Sequence, residues 1–147
     1  MPSYLITGGN GNTGRKIAAD LTAAGHKPII ASRSGESSAG LAATKLSWED
    51  ESTYGNPFSA YPGIKAVYIL IPTPSLTLDR FKKFVTTARD NGVKRFVQLS
   101  SADAPPITKQ AEDYLKSLEK EGVEWTILKP SWFFGMHPPP TPHLLGL

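Results

Sequence analysis

An α/β domain built on a doubly wound parallel sheet is the fold class to expect, and three features of the chain point to it. Short apolar runs alternate with stretches in which apolar residues recur at i, i+3, i+4 and i+7. A glycine-rich turn joins the first run to the first such stretch. The chain has 147 residues, room for one domain whose core needs no disulfide or metal to close.

Residues 4–7 (YLIT) form an apolar run that ends in glycines, and Gly14, Ile17, Ala18 and Leu21 follow at helical spacing. The reading is strand, turn, helix. Gly25 stops the helix and residues 28–32 (PIIAS) are the next strand, so residues 1–33 make one βαβ unit. A Ser/Gly-rich loop at 34–40 precedes a weak third strand around 45–48, and residues 65–71 (KAVYILI) are a strand apolar enough to be buried on both faces. Pro72 and Pro74 end it. Leu78, Phe81, Phe84, Val85 and Ala88 trace one stripe of a helix closed by Asn91-Gly92, and residues 94–99 (KRFVQL) return as a strand. The next helix runs over 106–121 with Ala111, Leu115 and Leu118 on one side. Gly122 stops it, and residues 123–128 (VEWTIL) are the sixth strand. Strands alternating with helices imply right-handed parallel crossovers and a sheet covered on both faces.

Composition narrows the function classes. Sixteen Lys and Arg against 13 Asp and Glu give a net charge of +3, and no run of five like charges provides a nucleic-acid arm, so nucleic acid is not an expected partner. The absence of cysteine excludes thiolate zinc sites, iron–sulfur clusters and thiol catalysis. His26, His137 and His143 stand outside any carboxylate pattern, so no metal site is expected. The longest apolar stretch, 66–71, falls far short of the roughly 20 residues a bilayer requires. The start MPSYLITGG carries neither a basic n-region nor an apolar core, which makes a cytoplasmic location the expectation.

Between the first strand and the first helix stands TGGNGNTG, with Gly8, Gly11 and Gly14 three residues apart. Glycines here allow a sharp turn, a close approach by a diphosphate and tight helix packing, while the free N–H groups of the helix start attract a phosphate. Thr7, Gly8, Gly9, Asn10, Gly11, Asn12, Thr13 and Gly14 are therefore the candidate phosphate cradle. A strand before it and an amphipathic helix after it give the loop the context of a Rossmann-type fold, with sheet order 3-2-1-4-5-6. A mononucleotide P-loop is disfavoured, because Arg15-Lys16 follows where Lys-Ser/Thr is needed. The second strand ends in Ser32-Arg33-Ser34 rather than in an acid that would hold a ribose 2′-hydroxyl. Arg33, flanked by two hydroxyls, suits a 2′-phosphate, so NADP(H) is the expected cofactor; a solvated surface arginine is the alternative.

The chain resembles the NmrA-like atypical short-chain dehydrogenase/reductase family. The TGxxGxxG loop, Arg33, GVKRFVQLSS at 92–101 and WTILKPSWF at 125–133 carry the resemblance. Within that family it is most similar to the fungal ergot-alkaloid reductases of the festuclavine and agroclavine dehydrogenase type, through ASRS, SWEDESTYGNPF, VKRFVQLSS, EDYLKSL and KPSWFF, over about residues 3–134.

This resemblance implies an oxidoreductase that delivers hydride from NADPH to an iminium or carbonyl carbon of a small-molecule substrate, in ergot-type alkaloid biosynthesis. An iminium is already an electrophile and needs little acid catalysis. That fits Tyr114, which is followed four residues later by Leu118, so the Y-x-x-x-K relay of typical short-chain dehydrogenases is absent. Ser100, at the end of the fifth strand, and Lys109, early in the next helix, are the candidate proton-handling groups. A serine there also serves as a cap or cofactor contact, and Lys109 as a solvated helix charge. Trp48, and Trp132 with Phe133, are candidates for the adenine and nicotinamide ends, although large aromatics also serve as core.

Family members continue well beyond the sixth strand with residues that form the substrate pocket. A C-terminally truncated member with its substrate lobe missing, without a complete substrate site and so inactive as an enzyme on its own, is therefore expected: an NAD(P)-binding domain over 1–133 and a Pro-rich, disordered tail over 134–147. That tail carries four of the chain's 13 prolines and no charged residue. The competing function is a non-catalytic NAD(P)-binding sensor. A third possibility is a product with no function of its own, whose uncovered edge, where the missing lobe would lie, favours aggregation or self-association.

Overall fold

A computed structural model describes residues 3–8, 11–72, 76–101 and 103–129. Strands β1 (Ser3–Thr7), β2 (Lys27–Ser32), β3 (Ala42–Lys45), β4 (Ile64–Leu70), β5 (Arg95–Leu99) and β6 (Glu124–Leu128) form one sheet in the order β3-β2-β1-β4-β5-β6. Every neighbouring pair is parallel. This is the expected Rossmann-type order. Strand succession reverses between β1 and β4, which opens a crevice at their carboxyl ends.

Helices α1 (Asn12–Ala23), α2 (Asn56–Ala60), α3 (Leu78–Asp90) and α4 (Pro106–Ser117) make the crossovers. The residues that α1 buries are Gly14, Ile17, Ala18 and Leu21, the stripe read from the sequence. In α3 they are Phe81, Phe84, Val85 and Ala88. Leu5, Ile29, Val67, Ile69 and Phe96 face α2, α3 and α4 in the larger core. Ile6, Ile30, Tyr68 and Val97, on the alternate positions of the same strands, meet α1.

Both faces of the sheet carry helices, as expected, but unequally. Among the described residues α1 is the one helix on its face, and Leu70, Leu99 and Leu128 are left half-buried there. Three boundaries also differ. β3 lies at Ala42–Lys45 rather than around 45–48, because Ala42 to Lys45 register with Ile29 to Ser32 and the chain then leaves the sheet, Leu46 N donating to Ser32 O at 2.9 Å. The helix expected over 106–121 ends at Ser117 and tightens into a 3₁₀ turn at Glu119–Glu121. Gly122 closes that turn at φ +88°, a conformation open to glycine without strain. The third difference is the short helix α2, preceded by a 3₁₀ turn at Glu51–Thr53, in a stretch where no periodicity marks an element. Asp50 caps that turn, accepting from Ser52 N at 3.1 Å and Ser52 Oγ at 2.6 Å, and these bonds hold its carboxyl below the ordinary range. The Pro-rich tail at 134–147 lies outside the described residues.

Candidate cofactor site

The site starts where β1 ends. Gly8 sits at φ +64°, and a Cβ there would stand 3.1 Å from Leu70 Cδ2. Gly11 N donates to Gly8 O at 3.0 Å and closes the turn. Gly11 itself has an ordinary φ of −79°; what a side chain would disturb is the tight approach, its Cβ falling 3.3 Å from Gly8 O. Gly11 is also the N-cap of α1, with no side-chain cap and no acid in the first turn. The leading N–H groups of α1 and the positive end of its dipole are thus left for an anion. Asn12 is exposed, Thr13 half-buried and Gly14 buried against the sheet, while Gly9 and Asn10 lie outside the described residues.

Above the turn opens a cleft of about 730 Å³, within the range of small-molecule sites. Thr7, Gly8 and Gly11 line it together with residues 31–34 after β2, 46–49 after β3 and 70–72 after β4. Arg33 is therefore brought to the same cleft as the glycine turn. The Thr7 hydroxyl is committed to the frame: it donates to Tyr68 O at 3.1 Å and accepts from Leu70 N at 3.0 Å, stitching β1 to β4. Ser32 is similarly engaged, its Oγ donating to Glu36 O at 2.8 Å and accepting from Gly35 N at 3.1 Å. Ser34 Oγ accepts from Glu36 N at 3.2 Å and lies 3.4 Å from Ser32 Oγ. These bonds fix the turn that carries Arg33. Glu49, which the sequence reading did not single out, brings one carboxylate to the cleft from beyond β3.

Trp48 serves both the cleft and the core. Its ring packs edge-on against Phe84 at 4.9 Å and Tyr54 at 6.0 Å, and its carbonyl accepts from Tyr54 OH at 2.7 Å. Burial pushes the Tyr54 phenol up to about 12, so it stays a neutral donor. Trp132 and Phe133 lie outside the described residues. Tyr114 stands edge-on to Phe81 at 6.2 Å with Lys82 Nζ 5.3 Å from its ring centroid, at the junction of α3 and α4.

Further along the carboxyl edge, Ser100 is buried and its Oγ donates to Glu112 Oε2 at 2.7 Å. Lys129 Nζ lies 3.1 Å from Glu112 Oε1. Burial pushes the Glu112 carboxyl up, but the hydrogen bonds from Ser100 and Lys129, with the charges of Lys129 and Lys109, outweigh it and leave the group below its ordinary value. Lys109 is exposed and acts on Glu112 through its charge alone. Glu112 and Lys129 are residues that reading the sequence for function passed over. The available signal was a carboxylate set beside Ala111 and Leu115 on the inward stripe of α4. Among the described residues no cluster of His, Asp and Glu forms a metal site, and no helix is long and apolar enough to cross a membrane.

A glycine turn, an uncapped helix start and an arginine after β2, gathered at the switch point of a parallel sheet, define a dinucleotide-binding domain. The cradle fits such a group: the turn is tight, a Cβ at Gly11 falling 3.3 Å from Gly8 O, and neither a capping side chain nor an acid occupies the start of α1. The chain belongs to the NAD(P)H-binding family, whose model matches residues 8–143.

Its relatives agree with the resemblance read from the sequence. The chain is 35% identical over 139 residues to agroclavine dehydrogenase of Claviceps purpurea (strain 20.1), covering 89% of this chain and 47% of that protein. It is 31% identical over 139 residues to festuclavine synthase I of Penicillium roqueforti (strain FM164), covering 89% and 48%. The chain thus spans about half the length of the curated relatives it matches. Among solved structures, the UDP-Glc/GlcNAc 4-epimerase of Campylobacter jejuni superposes with a TM-score of 0.71 at 13% identity, over 96% of this chain and 59% of that one. A short-chain dehydrogenase/reductase superfamily protein from Agrobacterium tumefaciens with bound NAD gives 0.68 at 22% identity, over 86% and 48%. At these identities the likeness shows the fold.

Proposed function

We propose that the chain binds NADP(H) along the cleft and serves hydride transfer to an iminium or carbonyl carbon of a small-molecule substrate. The likeness to agroclavine dehydrogenase and festuclavine synthase I supports a substrate of the ergot-alkaloid type. One observation carries the choice of NADP over NAD: Arg33 lines the same cleft as Gly8 and Gly11, one strand away from the phosphate cradle. Gly8, Gly11 and the first N–H groups of α1 hold the diphosphate, Arg33 pairs with the 2′-phosphate, and Trp48 flanks the adenine. When bound, the nicotinamide supplies the hydride. Ser100 spends its hydroxyl hydrogen on Glu112, so it is no ready proton source. An iminium carbon accepts hydride to give a neutral amine with no proton added, which favours it over a carbonyl.

Replacing Arg33 tests the cofactor choice. Arg33→Ala should weaken NADPH about tenfold or more and leave NADH unchanged, as read by titration calorimetry. Equal loss for both cofactors, or none for either, contradicts the assignment. A second reading, a non-catalytic NAD(P)-binding sensor, draws on the same commitment of Ser100. Consumption of NADPH on adding a cyclic iminium decides for the enzyme.

A further inference from the structure

We propose that Lys129 is the cationic hydrogen-bond donor to the nicotinamide end of the cofactor, and that buried Glu112 is the positioning residue that seats it. The inference rests on the NADP(H) reading above and adds two residues to it.

Leu70, Leu99 and Leu128 stand in register across β4, β5 and β6. Leu70 lines the cleft, and Ser100 and Lys129 are the next residues after Leu99 and Leu128 along the same edge. Ser100 N donates to Leu128 O at 2.7 Å, which ties the ends of β5 and β6 together just before Lys129. With its adenosine end over β2 and β3, a dinucleotide crossing the switch point extends its other end toward β5 and β6.

Glu112 explains why Lys129 has a defined position. Its residue is 1% exposed, and both carboxylate oxygens are engaged, one by Ser100 Oγ at 2.7 Å and one by Lys129 Nζ at 3.1 Å. A carboxylate buried in a helix–sheet junction costs more to desolvate than an apolar side chain of the same size, so stability alone does not account for it. The Lys129 side chain keeps 42% of its surface in solvent. An ammonium has three donors, and the Glu112 contact uses one. The remaining donors match the carboxamide oxygen of a nicotinamide.

Adenosine 2′,5′-bisphosphate, which lacks the nicotinamide, separates this role from a structural one. Lys129→Met should lose about tenfold in NADPH affinity, keep wild-type affinity for the bisphosphate, and regain most of the loss as Lys129→Arg. Glu112→Gln, which frees Lys129 without removing it, should show the same split with a smaller loss. Equal affinity of Lys129→Met and wild type for both ligands overturns this inference and leaves the cofactor reading standing; so does a parallel loss for both. A wild-type chain that binds neither ligand overturns the cofactor reading and this inference with it.

Discussion

Gly8 and Gly11 do different work in one turn. Gly8 needs its positive φ, whereas Gly11 has an ordinary backbone and needs only the absence of a side chain. Their place in a turn between β1 and α1 was legible, since glycines at that spacing after a strand and before a helix suit a sharp turn. The place of Arg33 at the same cleft was legible because it directly follows the second strand. Glu112 was not. Inside a helical stripe a lone glutamate reads as solvent-facing, and only the meeting of α4 with β5 and the residue after β6 shows that it is buried. Its linkage to pH follows from a folded-state carboxyl held below its ordinary value. The stabilisation it gives is present above roughly pH 4.3, the value in an unfolded chain, and is lost as pH falls through the lower folded value. Glu112→Gln should therefore melt below the wild type at pH 7, and the gap should close as thermal scans move toward pH 3. A gap of constant size across that range contradicts the linkage.

Among the elements, α3 supports the cleft wall from the core side. Phe84 is fully buried and meets Trp48, Tyr54 and Phe58, so the ring that supports the cleft wall is a core side chain. Phe84→Ala should cost about 3–4 kcal/mol and lower the melting temperature by roughly 10–15 °C. It should also shift Trp48 emission to the red; unchanged emission would show that Trp48 does not depend on Phe84. The stripes of α1 and α3 were readable because several apolar residues repeat at one period. α2 and β3 were not. α2 is a five-residue helix, too short to display a period, and it is held by the burial of Pro57 and Phe58. β3 reads AATK, whose β-propensity is weak, and its place is fixed by pairing with β2.

For the molecule as a whole, strand order decides where chemistry can occur, and alternation of strand and helix made that order readable. Coverage of the sheet was less readable, because it depends on which face each crossover takes. α2, α3 and α4 share one face, while α1 is alone among the described residues on the other, beside a groove of about 430 Å³ lined by Tyr4, Ile6, Tyr68 and Val97. Ile6, Tyr68 and Val97 are buried, so the apolar surface this face offers is that of half-buried Leu70, Leu99 and Leu128, and such surface favours association. The 147-residue chain is expected to form dimers or larger species in light scattering behind size exclusion, dissociating on dilution; a monomer at every concentration contradicts this.

Whether main-chain N–H groups at the start of α1 hold a dinucleotide diphosphate is decided most directly by calorimetric titration of the 147-residue chain with NADPH, beside Gly11→Ala. Saturable binding well below about 1 mM, weakened at least about tenfold in Gly11→Ala while that variant still unfolds cooperatively, is the expected result. No saturable heat up to that concentration, or equal affinity in the two proteins, contradicts it.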